Sequence, residues 1–184
     1  MALDEWQERF PNARKTLLFG NHSNRLNKYI LKNAKALHGL FTLEVELGLE
    51  RRNIELVPYG QYQMYQVLDC NLYLRHEPPS GGENIAKPSL KKLLDCSMIC
   101  GHTHRIEESS VTSFKGNVYT MHSIGHLTNH RSPQMEYGKN PASWQLGFGV
   151  ITVINRENWF FQQCHIKEVG GKFSTICDGH YYEV

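Results

Sequence analysis

The chain has 184 residues, of which 40% are hydrophobic and 21% charged, a composition that excludes a disordered or fibrous protein. Its 20 basic and 18 acidic residues leave a formal charge of +2, so the overall charge does not indicate a nucleic-acid partner. It has no apolar run of the roughly 18 residues that a membrane-spanning helix needs, and its acidic start with an early Trp6 is unlike a signal peptide. We therefore expect one globular domain over residues 1–184, with no membrane partner.

The numbers of cysteines and histidines indicate the redox state of the thiols and the candidate metal ligands. Five cysteines are an odd number, and the chain is too long to depend on disulfides for its core. We therefore interpret them as reduced thiols and expect a cytoplasmic location. Ten histidines are the unusual count, and since histidine is the commonest metal ligand, their positions matter most for function.

The N-terminal half predicts short strands that alternate with helices. Apolar runs bounded by turn residues indicate the strands, and apolar residues recurring at helical spacing indicate the helices. In chain order we predict a helix over 3–10 ended by Pro11, a strand over 15–20, a helix from Ser23 or Asn24 to about Gly39, a short helix over 42–50, strands within 53–60, 63–69 and 71–77, and a helix over 84–94.

The C-terminal half predicts mostly strands, which makes the whole chain a mixed α/β protein. Residues 126–146 form a long predicted loop, and loops of that length are often functional. The predicted strands cover 96–100, 105–114, 117–125, 147–154 and 159–166, with a last strand within 171–184.

Polar side chains that can bind a metal follow three of the predicted strands. Strand ends fix the backbone while the following loop presents side chains outward, so such positions commonly build binding sites. His102 and His104 are two residues apart in a loop that begins with glycine, a spacing that lets two imidazoles point to neighbouring places. The residues are Asn21 and His22 at the exit of the first strand, His76 at the exit of the strand within 71–77, and His102 and His104 after Gly101.

Some of these histidines, and others near them, allow further interpretations. Cys96, Cys100, His102 and His104 are a competing set for a structural zinc site, although the two cysteines alternate in an apolar strand as core residues do. Three further histidines crowd near the long loop and could line a pocket: His122, His126 and His130.

Three motifs together resemble a known family. GNH at the end of a strand, an isolated His76 and then GHTH are similar to the last three motifs of the calcineurin-like metallophosphoesterases. The stretch 123–153 also resembles the C-terminal part of the phage-type members, and the resemblance covers most of residues 14–155. It implies an α/β fold, a β-sandwich flanked by helices in αββα layers, and a two-metal phosphoesterase.

The resemblance also implies roles for particular residues. Asn21, His76 and His102 match the ligands of the second metal, and His104 matches one ligand of the first. His22 matches the histidine that contacts the phosphate and helps to protonate the leaving group. Imidazole ligands suit a divalent transition metal, with Mn as our first expectation and Zn, Fe or Ni as alternatives.

The start of the predicted second helix adds an anion site to this scheme. Its free backbone N–H groups and positive dipole end favour a phosphate. Arg25 lies one turn into that helix and can add a charged donor.

The sequence departs from the family pattern in ways that bear on activity. The family begins with strands that carry Asp-x-His and Gly-Asp, and neither motif stands ahead of Gly20; we therefore expect a domain without those N-terminal strands. The ligands that remain are neutral and cannot offset two divalent ions, so we expect one bound metal. Ser23 stands where the family usually has an acidic residue. Glu77 could lend a carboxylate, but as a neighbour of His76 on a strand we expect it to point to the opposite face.

Two functions follow from these observations. The first is a metal-dependent phosphoesterase that cleaves a phosphomonoester or phosphodiester, with nucleotides or nucleic acid as the expected substrate class. It acts with one metal or is completed by a second copy or a complementing N-terminal chain, in the host cytoplasm if phage-encoded. The second is a catalytically degenerate binding or inhibitory module on the same scaffold, which the missing carboxylates favour.

Overall fold

The structure, a computed structural model, describes residues 2–60, 62–93, 95–128 and 143–184. The chain divides into two compact units, Met1–Tyr65 and Gln66–Val184. Whether these units make up one domain, as the chain length predicts, stays a prediction. Within the described residues, no helix is long and apolar enough to cross a membrane.

The N-terminal unit combines a small parallel sheet with short helices. Strands β1 and β2 run parallel, with Lys15 opposite Ile54 and Leu18 opposite Val57. The buried residues of this unit are Phe19, Leu49 and Ile54. The elements are α1 (Ala2–Arg9), β1 (Lys15–Leu18), α2 (Arg25–Asn33), a 3₁₀ turn (Lys35–Leu37), α3 (Leu43–Glu46) and β2 (Ile54–Val57).

A buried arginine ties the helices of this unit together. The Arg52 side chain is only 8% exposed, and its Nε donates to the Asp4 carboxylate of α1 at 2.9 Å. Its guanidinium also donates to the backbone carbonyl of Leu47, just after α3. These hydrogen bonds lower the pKa of Asp4 and give the buried charge the partners that it needs.

The C-terminal unit contains a five-stranded sheet in the order β3-β4-β5-β7-β6. Strands β4, β5 and β7 run parallel, and β6 runs antiparallel to β7. All four residues of β5 are buried, which places it at the centre. The elements are β3 (Tyr65–Gln66), β4 (Leu72–Arg75), α4 (Ala86–Leu93), β5 (Ser97–Cys100), β6 (Ile106–Thr112) and β7 (Val118–Ile124).

Helix α4 covers one face of this sheet. Leu90 of α4 packs with Ile85 against Met98 and Cys100 of β5 and Met121 of β7, and all five side chains are buried. This cluster is the main core of the unit, and it fixes the parallel strands against each other.

Two smaller antiparallel sheets complete the chain. Strands β8 and β9 form a two-stranded ribbon, and the last three strands form a sheet in the order β10-β11-β12. The elements are β8 (Gly147–Val153), β9 (Trp159–His165), β10 (Lys167–Val169), β11 (Lys172–Cys177) and β12 (His180–Glu183).

The predicted α/β class is confirmed, and most predicted elements are present within one to three residues of their expected bounds. The single last strand within 171–184 is wrong, because the chain turns back between β11 and β12. Asp178 and Gly179 have positive φ values of 49° and 74°, the geometry of a tight hairpin turn. Helix α2 ends at Asn33 rather than near Gly39. Most of the predicted loop over 126–146, with His130, lies outside the described residues.

Gly149 of β8 is a position where a side chain does not fit. A Cβ there would clash with the Phe161 ring of β9 and lie 3.5 Å from Ile124. The ring cannot move aside freely, since it packs against His122 with 4.3 Å between centroids.

We therefore expect Gly149→Ala to lower the free energy of unfolding by about 1–3 kcal/mol through overpacking. Chemical denaturation followed by circular dichroism measures this change. Gly81→Ala is the matched control, because among the described residues no atom lies within 4 Å of a Cβ at Gly81. Equal stability of the two variants would contradict the packing described here.

Candidate functional site

His76 and His102 meet because β4 and β5 are parallel neighbours. Arg75 at the end of β4 pairs with Cys100 at the end of β5, so the chain leaves both strands at the same edge of the sheet. His76 follows one strand by one residue and His102 follows the other by two. Their rings lie edge to face with centroids 5.1 Å apart, and His102 Nδ1 is 3.2 Å from His76 Nε2.

This spacing fits two ligands of one metal ion. Zinc–nitrogen bonds are about 2.0–2.1 Å long, so two imidazole nitrogens on one tetrahedral ion lie about 3.3 Å apart. The observed 3.2 Å is close to that value, and in the structure the two nitrogens share a hydrogen bond. His102 is 36% exposed, so an ion can reach the pair from solvent. The donor set therefore suits a divalent transition metal.

Glu77 lies beside this pair, which the sequence did not predict. Its Oε1 is 3.9 Å from His102 Nδ1. The expectation that Glu77 points away is wrong, because β4 ends at Arg75 and the alternation of a strand does not continue through the bend that follows. Within the described residues, however, no group of three or more His, Cys, Asp or Glu side chains is arranged to hold a metal.

The GHTH loop holds its histidines with an unusual backbone. His102 and His104 have φ values of 68° and 59°, in the left-handed region that costs a non-glycine residue roughly 1–2 kcal/mol. Thr103 between them is anchored, since its hydroxyl and the buried Ser123 hydroxyl of β7 share a 2.7 Å hydrogen bond. Strained residues of this kind cluster at functional sites.

His104 lies in an aromatic cluster. Its ring centroid is 4.4 Å from that of Trp144 and 5.0 Å from that of His126. The Gln145 backbone N–H donates to the His104 carbonyl at 2.8 Å, which holds this segment against the loop. The structure thus brings His126 beside the loop. The metal-ligand role of His104 stays a prediction.

Trp144 is the member of the cluster that sequence reasoning missed. It lies within the long predicted loop over 126–146 and belongs to no periodic element, so neither helical nor strand spacing marks it. The aromatic residue itself, three residues before the start of β8, was the available signal.

The alternative structural zinc site is not supported. Its four members, Cys96, Cys100, His102 and His104, do not form a metal-binding group in the described structure. Cys100 packs in the core with Met98, and burial raises the pKa of its thiol to about 12. A metal ligand must lose the thiol proton, and deep burial makes that loss costly.

The N-terminal unit presents the other predicted site residues at the start of α2. The chain turns after Phe19, with the Asn24 N–H donating to the Gly20 carbonyl at 3.2 Å. Arg25 Nη2 lies 3.4 Å from His22 Nε2, and because a guanidinium only donates, the imidazole nitrogen is the acceptor. Asn24 is the N-cap residue, without a side-chain capping hydrogen bond.

The predicted ligands therefore fall in two units. Asn21, His22 and Arg25 belong to Met1–Tyr65, whereas His76, His102 and His104 belong to Gln66–Val184. The structure brings His76 and His102 together within their unit. That Asn21 joins them on one ion stays a prediction.

His122 of β7 is a buried histidine outside this pair. It is 6% exposed, contacts Phe161, and its Nδ1 lies 3.7 Å from the Glu108 carboxylate of β6. Burial lowers the pKa of His122 below its ordinary value of 6.5, and Glu108 opposes that shift. The neutral imidazole is thus the form that the folded protein favours.

No family model and no curated protein matches the chain. Among solved structures, it is similar to Vps29 of Entamoeba histolytica in complex with zinc, at 14% identity and a TM-score of 0.39, over 98% of this chain and 87% of that one. A single mutant of Vps29 from the same organism matches at 16% identity and a TM-score of 0.34, over 98% and 88%. The resemblance to a family therefore rests on the sequence motifs.

The buried His122 is expected to make the folded protein less stable in acid. Its pKa is lower in the folded than in the unfolded state, so its contribution to stability is present above pH 6.5 and is lost as the pH falls through the folded value. We expect the free energy of unfolding to fall less between pH 7 and pH 5 in His122→Gln than in the wild type. Denaturant titrations at both pH values measure this. His38→Gln, which replaces an exposed histidine, should behave like the wild type.

Proposed function

We propose that this protein is a metal-dependent phosphoesterase that binds a divalent transition metal through His76 and His102. The observation that carries the proposal is the pair of imidazole nitrogens 3.2 Å apart at the ends of two parallel strands. Metal-binding side chains at the carboxyl ends of parallel strands are a common way to build a site. The GNH and GHTH motifs support the same chemistry.

The remaining roles follow from the residue types. The Asn21 carboxamide is the proposed third ligand, and His104 and Glu77 are candidates to complete the shell. A divalent ion in such a site lowers the pKa of a bound water and holds the phosphoryl oxygens of the substrate.

His22 and Arg25 are proposed to act on the phosphate. In the structure Arg25 Nη2 lies 3.4 Å from His22 Nε2, so the two side chains stand together at the start of α2. The family resemblance assigns His22 the role of helping to protonate the leaving oxygen. Arg25 is exposed and can turn its donors to a phosphate at the start of α2, where free N–H groups already favour an anion.

Borderline imidazole ligands suit a divalent transition metal more than Mg or Ca; the proposed ion is Mn, with Zn, Fe or Ni as alternatives. The proposed substrate is a phosphomonoester or phosphodiester, with nucleotides or nucleic acid as the expected class. Since Asn21, His76 and His102 are neutral, a carboxylate from a second copy or from a complementing chain is part of the proposal. So is a cytoplasmic location.

The metal site is tested by titration. We expect the wild type to bind Mn²⁺ or Zn²⁺ in isothermal titration calorimetry, and His76→Ala and His102→Ala to weaken binding by about 100-fold, because each removes a direct ligand. His180→Ala is the control, since His180 is exposed on β12. Unchanged affinity in both variants would rule out the proposed site.

The phosphoesterase activity is tested with the same variants. With Mn²⁺ we expect cleavage of bis(p-nitrophenyl) phosphate or p-nitrophenyl phosphate by the wild type, and loss of that cleavage in His102→Ala. A wild type that binds the metal but cleaves neither ester, alone or after addition of a complementing chain, speaks against the enzyme.

The role of Asn21 has a matched control three residues away. Asn21→Ala should weaken metal binding about 10-fold or more if the carboxamide is a ligand. Asn24→Ala should not, because Asn24 makes no side-chain capping hydrogen bond. Equal affinities of the two variants would remove Asn21 from the ligand set while leaving His76 and His102 in place.

A binding or inhibitory module is the second candidate function. It is favoured by one observation: among the described residues, no three His, Cys, Asp or Glu side chains gather around a metal position. Such a module would hold a protein partner with its surface and would keep that partner in His102→Ala. Metal-dependent turnover without a stable partner would exclude it.

A further inference from the structure

We propose that Cys164 and Cys177 are a redox-active pair that an oxidant converts to a disulfide, which cross-links β9 to β11. This site is separate from the histidines and does not depend on the proposed hydrolase activity. All five cysteines are free thiols in the structure.

The two cysteines lie on strands that face each other. Cys164 is completely buried in β9, Cys177 is partly buried at the end of β11, and Cys177 is near enough to help raise the pKa of the Cys164 thiol. Strands β9 and β11 are in contact. The two cysteines thus lie on neighbouring strands, as a disulfide between them requires.

A hydrogen bond also holds the end of β11 against β9. The Asp178 N–H, directly after Cys177, donates to Gln162 Oε1 at 3.1 Å. Gln162 and Cys164 are two residues apart on β9, so their side chains lie on the same face of that strand. The end of β11 is thus held against the face of β9 from which the Cys164 thiol projects.

The cross-link would join two separate sheets. Cys164 belongs to the β8–β9 ribbon, and Cys177 belongs to the central strand of the β10–β11–β12 sheet. The chain between them passes through β10, so the bond closes a short loop around that strand. Closing the loop removes conformational freedom from the unfolded chain and stabilises the folded one.

The difference between the two thiols sets the order of reaction. Burial, together with the contact with Cys177, raises the pKa of Cys164 to about 11, so Cys164 stays a thiol at neutral pH. Cys177 is the more accessible of the two and is the one that meets the oxidant.

With hydrogen peroxide as the oxidant, the Cys177 thiolate attacks one peroxide oxygen. The S–O bond forms while the O–O bond breaks, and the departing hydroxide takes up a proton to give water. The Cys164 sulfur then attacks the sulfenic sulfur. The S–S bond forms, the S–O bond breaks, and the hydroxide leaves with the Cys164 proton as a second water.

The other three thiols have different surroundings. Cys70 Sγ lies 3.7 Å from the carbonyl of Asn155, and Cys96 Sγ lies 3.7 Å from that of Leu93. Cys100 packs in the core with Met98, where burial raises its pKa to about 12. The pair is thus chemically distinct within the chain.

The test is to treat the full-length protein with hydrogen peroxide, denature it, alkylate the free thiols and measure its mass. We expect three alkylated cysteines instead of five, and a peptide map that links Cys164 to Cys177. Dithiothreitol should restore all five. Cys177→Ser, at a partly exposed position, should form no link, whereas the control Cys96→Ser should form it.

Three results would overturn the proposal: five thiols that remain reactive after treatment, a disulfide between other cysteines, or sulfinic acid at Cys177 in place of the link. The consequence for stability is measured on the same samples. We expect the oxidised wild type and the oxidised Cys96→Ser variant to unfold about 5–10 °C higher than their reduced forms. A link that leaves the midpoint unchanged would overturn the proposed tethering of the two sheets.

Discussion

The parallel pairing of β4 with β5 is the constraint on which the candidate site depends. Arg75 opposite Cys100 sets the register, and a shift of one residue would send His76 and His102 to different places. The register is itself held by burial. Met98 and Cys100 of β5 pack against Leu90 of α4, so slipping the strand would expose apolar surface. The 3.2 Å approach of the two imidazoles is therefore a consequence of core packing as much as of the histidines.

The same core supports the strained loop after β5. Two left-handed residues at His102 and His104 each cost roughly 1–2 kcal/mol. The loop keeps this conformation because Thr103 is hydrogen-bonded to Ser123 of β7, the strand that pairs with β5 on the other side. Without the strain, successive residues would alternate between the faces of the sheet. In the left-handed conformation the two histidines have different neighbours: His102 contacts His76, and His104 contacts Trp144.

The sequence predicts those features that arise from local patterns. Strand alternation and turn residues locate the elements. Binding sites are commonly built at strand ends, and this rule predicts that His76 and His102 lie near each other. Glu77 could not be predicted in this way, because its position depends on the bend after Arg75 rather than on the strand. Trp144 comes to His104 through tertiary contacts of an irregular segment. The dipeptide Asp178-Gly179 favours a hairpin turn, so the sequence carried a signal for the turn that the structure shows. The alternating pattern on both sides of it favours one long strand equally well.

Charge decides what the proposed centre can do. A divalent ion held by the neutral imidazoles of His76 and His102, as proposed, would keep its full charge, and Glu77, 3.9 Å from His102, would offset only part of it. An anionic phosphate ester would then provide further compensation, so that substrate and metal would each strengthen the binding of the other. The same coupling applies to a carboxylate from a second chain, which competes with the phosphate for that role. A site built from neutral ligands thus favours anionic partners whether it hydrolyses them or only binds them, so affinity for an anion alone does not separate the two proposed functions.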